Sequence, residues 1–461
     1  MVNERKLKAD SNFSPSPRCR RYTGLFFDVN LCKMPFCEAN ASKPEGMEKR
    51  SKNVLYTYDN LYVLSGLNSG LVDLIYLDPP FNSKRTYSAP IGSKAAGASF
   101  KDMWTWKDVD EYYLETLAGQ FPTLAQYILN VGAIHSKSMM VYLTYMAQRI
   151  VEMHRILKET GSLYLHCDPT ASHYLKHVLD CIFSKQGFRN DISWCYSGPS
   201  GAKRNFPAKH DVILRYSKTD DFVFNTYEIR IPYDGSTLKR RTYAETKKKG
   251  IPFQGKEYET YLLGRVPFDW WNDIPSGGQI SRQERTGYPT QKPLKLLKRI
   301  ILASSNEGDL VMDPFCGCAT TCVAAQQLGR RWIGIDIEHP VVNVLMQRLS
   351  DDAGFFKDFT ATKQIPQRTD VQIVPPTEPI KQRLYREQKG KCKACGQDFE
   401  CRNLEIDHII PKSKGGGDYY ENYQLLCGSC NCIKGDRPME FLRVKLDTIE
   451  RMTKTKIFFG E

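Results

Sequence analysis

Apolar residues along this chain fall into two alternating patterns. Short continuous runs end in an acid or a proline, and between them lie segments whose apolar positions recur every three to four residues. The runs at 54–59, 72–77, 162–167, 188–196, 309–313 and 331–336 read as buried strands. Helical periodicity fills much of 110–160, with its last segment, 149–158, stopped at Gly161. It returns over 294–304 and again from Thr320 to about Leu328, where Gly329 ends it. Strands alternating with helices predict an α/β domain with a mostly parallel sheet. The first two strands are expected side by side, delivering Asp59 and Asp78 to one sheet edge.

Two stretches break the alternation. Residues 1–46 carry Ser14-Pro15-Ser16-Pro17, scattered basic residues and no sustained period, and are expected to be a disordered leader. Residues 197–287 mix Gly, Pro, Tyr and Trp with basic clusters at Lys203, Arg204, 239–241, 247–249, Arg282 and Arg285. Aromatics among cations suit stacking on bases and neutralising phosphates, so this insert is expected to read DNA.

Composition narrows the class. A chain of 461 residues has room for two or three domains, and 41% hydrophobic with 25% charged residues is a globular balance. The formal net charge of +13 suits a polyanion, with double-stranded DNA the leading partner. No run long enough for a membrane span and no secretory signal are present, which predicts a cytoplasmic protein held at the nucleoid, with no membrane partner. Fifteen cysteines in so long a chain are expected to be free thiols and metal ligands.

The strand at 72–77 runs into Asp78-Pro79-Pro80-Phe81. Two prolines stiffen the turn, so Asp78 and Phe81 project beyond the strand's carboxyl end, where open α/β sheets bind ligands. A carboxylate, a proline carbonyl and an aromatic face together suit an exocyclic amine on a planar ring. A second strand ends in Asp313-Pro314-Phe315-Cys316-Gly317-Cys318-Ala319-Thr320, and Asp336 follows at a spacing that suits a ribose. The loop lacks the Gly-Lys-Ser/Thr ending of a phosphate cradle, which favours a nucleoside without phosphates such as S-adenosylmethionine.

With these motifs in this order, the chain over about residues 53–350 resembles the permuted β class of S-adenosylmethionine-dependent DNA amino-methyltransferases. That resemblance implies a Rossmann-like domain with a catalytic half at 53–196, a target-recognition region at 197–287 and a cofactor-binding half at 288–360. Pro289-Thr290-Gln291-Lys292-Pro293, 161–169 and Lys209-His210-Asp211 also look like family segments. By the resemblance Asp78, Pro79, Pro80 and Phe81 are catalytic. Asp59, Asp313, Phe315, Cys316, Gly317, Thr320 and Asp336 would bind the cofactor. The family usually has a second glycine where this chain has Ala319. An aspartate at the head of the catalytic motif resembles adenine modifiers, with cytosine N4 the alternative.

After a linker over 361–380, Cys392-Lys393-Ala394-Cys395 and Cys427-Gly428-Ser429-Cys430 form two CxxC pairs whose thiolates suit a structural zinc. Between them, Glu405-Ile406-Asp407-His408-Ile409-Ile410-Pro411 and Asn422 resemble the HNH endonuclease family, implying a zinc-stapled ββα-metal domain over 381–445. By that match His408 would be the general base and Asn422 would brace its loop. Asp407 and Asn431 would hold magnesium or another divalent ion, Asn431 standing in place of the usual histidine. The expectation is a site-specific DNA adenine methyltransferase with a fused nuclease-like domain, as in restriction-modification, acting as a monomer or homodimer. The alternative is an HNH endonuclease whose methyltransferase-like half mainly recognises DNA.

Overall fold

A computed structural model describes residues 53–449, apart from 103–112, 250–261, 354–358, 371–379 and a few isolated positions. The expected leader and residues 371–379 of the expected linker lie outside the described residues. In chain order the first strands are β1 (Asn53–Tyr56) and β2 (Val72–Leu77), followed by a separate hairpin of β3 (Arg85–Ser88) and β4 (Ser99–Asp102). Next come β5 (Leu157–Cys167), β6 (Phe188–Cys195), β7 (His210–Ser217), β8 (Trp270–Trp271), β9 (Leu310–Asp313), β10 (Arg331–Ile335) and β11 (Phe359–Thr362). Nine of these form one sheet in the order β11-β1-β10-β9-β2-β5-β7-β6-β8. From β11 to β5 every pairing is parallel, and β7 runs antiparallel to both β5 and β6.

Both faces of this sheet are covered, which is why its strands read as continuous apolar runs. On β2, Ile75 and Leu77 join the core shared with the helices Pro122–Ile134, Lys137–Ile156 and Pro169–Phe183. Leu74 and Tyr76 point the other way, toward the helices Leu294–Ser304 and Thr320–Gln327.

Four expectations are corrected. First, β1 and β2 are not neighbours, since β10 and β9 lie between them; an apolar run signals a strand but not its partner. Second, the helix Lys137–Ile156 stops before Leu157, which starts β5 opposite Val72, and Lys158 there pairs with Asp73 at 2.7 Å. Third, the basic insert is not wholly separate from the sheet, because β7 and β8 lie within 197–287 and Ile213 and Leu214 are fully buried. Its helix Gly235–Lys249 does expose Lys239, Arg240, Lys247 and Lys248. Fourth, β11 and the buried Ile365 carry the folded domain past residue 360 into the expected linker.

The C-terminal module pairs β12 (Leu404–His408) antiparallel with β13 (Tyr423–Cys427) and continues into the helix Gly428–Lys434. Its core of Leu384, Leu404, Leu425, Leu426 and Leu442 is its own. Among the described residues no helix is long and apolar enough to cross a membrane.

Candidate active site

Far apart in sequence, β2 and β9 are paired in the sheet, so their carboxyl ends set the Asp78 and Asp313 loops side by side. A cavity of about 690 Å³ opens there, lined by Asp59, Asp78, Pro79, Pro80, Phe81, Asp313, Phe315, Cys316, Gly317, Thr320 and Asp336 among others. An adjoining cleft of about 930 Å³ is lined by Trp194, Tyr196, Asp211 and Arg285. The two meet at Phe81, Tyr87, Tyr288, Thr290, Gln291 and Lys292, which line both.

The loop after β9 is held from within. The buried Asp313 carboxylate accepts from the Phe315 N–H at 3.0 Å and from the Thr321 hydroxyl at 2.5 Å. Burial pushes Asp313 up to about 7, against the pull of those two donors, and the nearby Asp78 and Asp336 raise it further. Gly317 has φ 51° and donates its N–H to Asp336 at 2.8 Å; a Cβ there would come within 3.1 Å of the Tyr288 ring. Ala319 adopts φ 58°, ψ 33°, so the position where a glycine was expected does need the left-handed conformation. Thr320 begins the next helix, its hydroxyl accepting from Arg348 at 2.9 Å, and Cys316 is buried behind the loop.

Asp59 reaches the same cavity from two strands away, as the N-cap of the helix Asn60–Gly66. Its carboxylate accepts from the Leu61 N–H at 2.8 Å and pairs with the buried Arg149 at 3.1 Å. Arg149 also donates to Asn60 at 2.6 Å, and Asn60 donates to the Pro314 carbonyl at 2.8 Å. This network fastens the cavity wall to the loop after β9.

Asp78 has an asymmetric environment. Its Oδ2 accepts from the Lys292 ammonium at 2.5 Å, while its buried Oδ1 has no hydrogen-bond partner among the described residues. Lys292 also lies 5.6 Å from the Phe81 ring centroid. The chain before it is strained, since Thr290 is β-branched yet has φ 63°. Gln291 anchors it by accepting from the Thr286 N–H at 2.8 Å and hydroxyl at 2.7 Å. Beyond Phe81, Asn82 takes φ 63°, and the N–H groups of Asn82 and Ser83 donate to the buried Asp102 at 2.5 and 3.0 Å.

Phe81 stacks on His166, 6.3 Å between centroids and 21° between planes. Fully buried His166 is tied at both nitrogens, Nδ1 to the Tyr76 hydroxyl at 2.8 Å and Nε2 to Asp211 at 3.1 Å. Tyr196 donates to the other Asp211 oxygen at 3.1 Å. Burial alone would raise the Asp211 carboxyl, but His166, Lys292 and Tyr196 hold it below its usual value. Sequence reasoning missed the roles of Lys292, His166 and Asp102. The first two sat in segments noted only as family-like, and nothing local marked any of the three contacts.

In the C-terminal module, Cys392, Cys395, Cys427 and Cys430 bring their sulfurs within 4.8 Å of one another, a donor set that suits tetrahedral zinc. Asn422 is buried and braces the loop after His408, accepting from the Ile410 N–H at 2.8 Å and donating to the Gly417 carbonyl at 2.9 Å. His408 Nε2 pairs with Asp418 at 2.8 Å, a partner the sequence did not suggest. The structure does not give Asp407 and Asn431 a shared partner. Asp407 is engaged by Gln424 at 2.7 Å and by the fully buried Lys434 at 3.1 Å, whereas Asn431 donates to Glu405 at 2.6 Å.

The chain matches the DNA methylase family over residues 72–347 and the HNH endonuclease family over residues 392–437. It is 26% identical over 354 residues to the type II methyltransferase M.BglII of Bacillus subtilis, spanning 75% of this chain and 82% of that one. It is 27% identical over 309 residues to the DNA adenine methyltransferase YhdJ of Escherichia coli (strain K12), spanning 67% and 85%. Among solved structures, the cytosine-N4-specific PvuII DNA methyltransferase aligns with a TM-score of 0.42 and 15% identity, covering 66% of this chain and 88% of that one.

Proposed function

Because this chain belongs to the DNA methylase family, we propose that it transfers a methyl group from S-adenosylmethionine to the exocyclic amine of adenine in double-stranded DNA. The observation that carries the reading is the unpartnered, buried Oδ1 of Asp78, a residue that lines the smaller cavity and pairs with Lys292, which lines both. The smaller cavity suits the cofactor. Asp59, Asp78, Asp102, Asp313 and Asp336 line it, and the one cation among its described lining residues, Lys292, is committed to Asp78. A sulfonium suits that wall and a nucleotide phosphate does not.

Asp336, Gly317 and Phe315 would hold the cofactor, which supplies an electrophilic methyl when bound. The larger cleft receives the extruded base. Phe81, backed by His166, stacks the ring, and Asp78 Oδ1 with the Pro79 carbonyl accepts the amine's N–H bonds and turns its lone pair toward the methyl. After transfer, Asp78 Oδ1 is the acceptor in contact with the surplus proton. Lys292 holds the opposite oxygen, so the carboxylate keeps one orientation throughout. Positioning and fixed charge therefore carry the rate. Adenine is favoured by the aspartate at the head of the motif and by the likeness to an adenine methyltransferase.

For the C-terminal module we infer a zinc-stapled, DNA-cleaving HNH site, which would make the chain a fused modification and restriction protein. The paired His408 and Asp418, with Asn422 fixing their loop, support His408 as the base that activates water. Incubating the protein with DNA and methyl-labelled cofactor tests the first activity: no label in DNA, with cofactor binding intact, sinks it. Divalent-metal-dependent nicking that persists in His408→Ala removes His408 from the second.

A further inference from the structure

Between β6 and β7 the chain leaves the sheet at Tyr196 and returns at Lys209, where the Tyr196 N–H donates to the Lys209 carbonyl at 3.0 Å. All twelve residues of 197–208 are exposed. Phe206 stands out among them as fully exposed, at 101% of its reference area. A single exposed apolar residue is common, so exposure alone says little. Its setting says more. Tyr196 and Asp211, at the two feet of this loop, line the larger cleft, so the loop rises from the rim of the base site.

Three further features suit contact with a duplex. Pro207 confines the backbone of Phe206 to an extended conformation, which stiffens the tip. Lys203 and Arg204 precede Phe206 in the loop and Lys209 follows it, so the loop carries cations suited to DNA phosphates. Lys209 also donates to the Pro199 carbonyl at 3.0 Å and closes the foot of the loop.

We propose that Phe206 is the wedge that enters the base stack as the target nucleotide leaves it. Extruding a base opens a gap whose lost stacking must be replaced, and an apolar side chain on a cationic loop is the chemistry that fills it. The inference rests on the methyltransferase reading above, because only a reaction on an extruded base needs the wedge.

The test compares wild type, Phe206→Ala and Phe206→Trp on two duplexes carrying the recognition sequence read from wild-type product DNA. In one duplex the target base is paired, and in the other it faces an abasic site, which removes most of the cost of extrusion. Phe206→Ala should lose ten- to a hundredfold in kcat/KM on the paired duplex and recover to within about threefold of wild type on the abasic one. Phe206→Trp should stay within about threefold of wild type on both. With 2-aminopurine at the target position, the fluorescence rise on binding should be lost in Phe206→Ala on the paired duplex alone. Activity of Phe206→Ala within threefold of wild type on paired DNA overturns the proposal, as does an equal loss on both duplexes, which would mark the loop as a plain affinity element. A wild type that methylates no DNA overturns the underlying reading as well, so the two failures are distinguishable.

Discussion

Replacing Lys292 with methionine keeps an apolar stem near Phe81 and removes only the ammonium that pairs with Asp78. At the observed 2.5 Å, with an effective dielectric of about 20, the two charges attract by roughly 7 kcal/mol. Several kcal/mol of lost hydration per ion offset most of this, so the intact pair adds little net stability. Breaking it is another matter. The side chains are only 10% and 17% exposed, and Lys292→Met leaves Asp78 with neither oxygen paired by a side chain. A cost of about 3 kcal/mol follows, at the low end for a buried pair because some water still reaches it. Asp78→Asn strands the lysine and should cost a similar amount. The double variant strands neither and should lose about 1 kcal/mol, which makes the coupling energy of the cycle about 5 kcal/mol. Activity should behave differently: each single variant and the double should lose at least about a hundredfold in kcat, because none retains an oriented carboxylate at the amine. Urea unfolding and methyl-transfer rates on the four proteins make the measurement. Additive stability losses, or a Lys292→Met enzyme within threefold of wild type, would refute the reasoning.

Asp313 sets a pH dependence. Its folded value is raised from 3.8 to about 7, so the folded state holds an extra proton between those values. Stability should therefore fall as pH rises from about 4 to 7, by up to about 4 kcal/mol from this group, and the difference between wild type and Asp313→Asn in urea midpoints across that range should show it. At Ala319, glycine relieves about 1–2 kcal/mol of left-handed strain but loses a buried methyl and gains unfolded-state freedom, so Ala319→Gly should shift stability by less than about 1 kcal/mol. Ala319→Val, β-branched at the same φ, should cost about 2 kcal/mol or more by thermal unfolding and weaken cofactor binding. Chelation or Cys427→Ser should abolish bound zinc, one per chain by metal analysis, and unfold the C-terminal module. The methyltransferase domain has its own core and should keep its melting transition.

The order of elements was legible because each central strand, buried on both faces, has a continuous apolar run, and each helix has a period. Pairing was not. Nothing local to residues 54–59 tells that β1 sits between β10 and β11, since neighbours are chosen by the whole sheet. The chemistry followed the same divide. Asp78, Asp313, Asp336 and the four cysteines announced themselves by motif and spacing, whereas the Lys292 contact to Asp78 spans 214 residues and leaves no local trace. Within the basic insert, β7 was hidden although six of its eight residues are buried, because its apolar run Val212-Ile213-Leu214 is short and gives way at once to Arg215. In the C-terminal module, Asp418 and Lys434 look like ordinary surface residues in sequence, and only the hairpin brings them to His408 and Asp407.

Base-resolved sequencing of DNA from cells expressing wild type or Asp78→Ala tests the central claim most directly, with cofactor binding of both purified proteins measured alongside. The account expects N6-methyladenine at one recurrent sequence with wild type, none with Asp78→Ala, and cofactor binding by both. Unmodified DNA from wild type that still binds cofactor, or equal modification by Asp78→Ala, would contradict it.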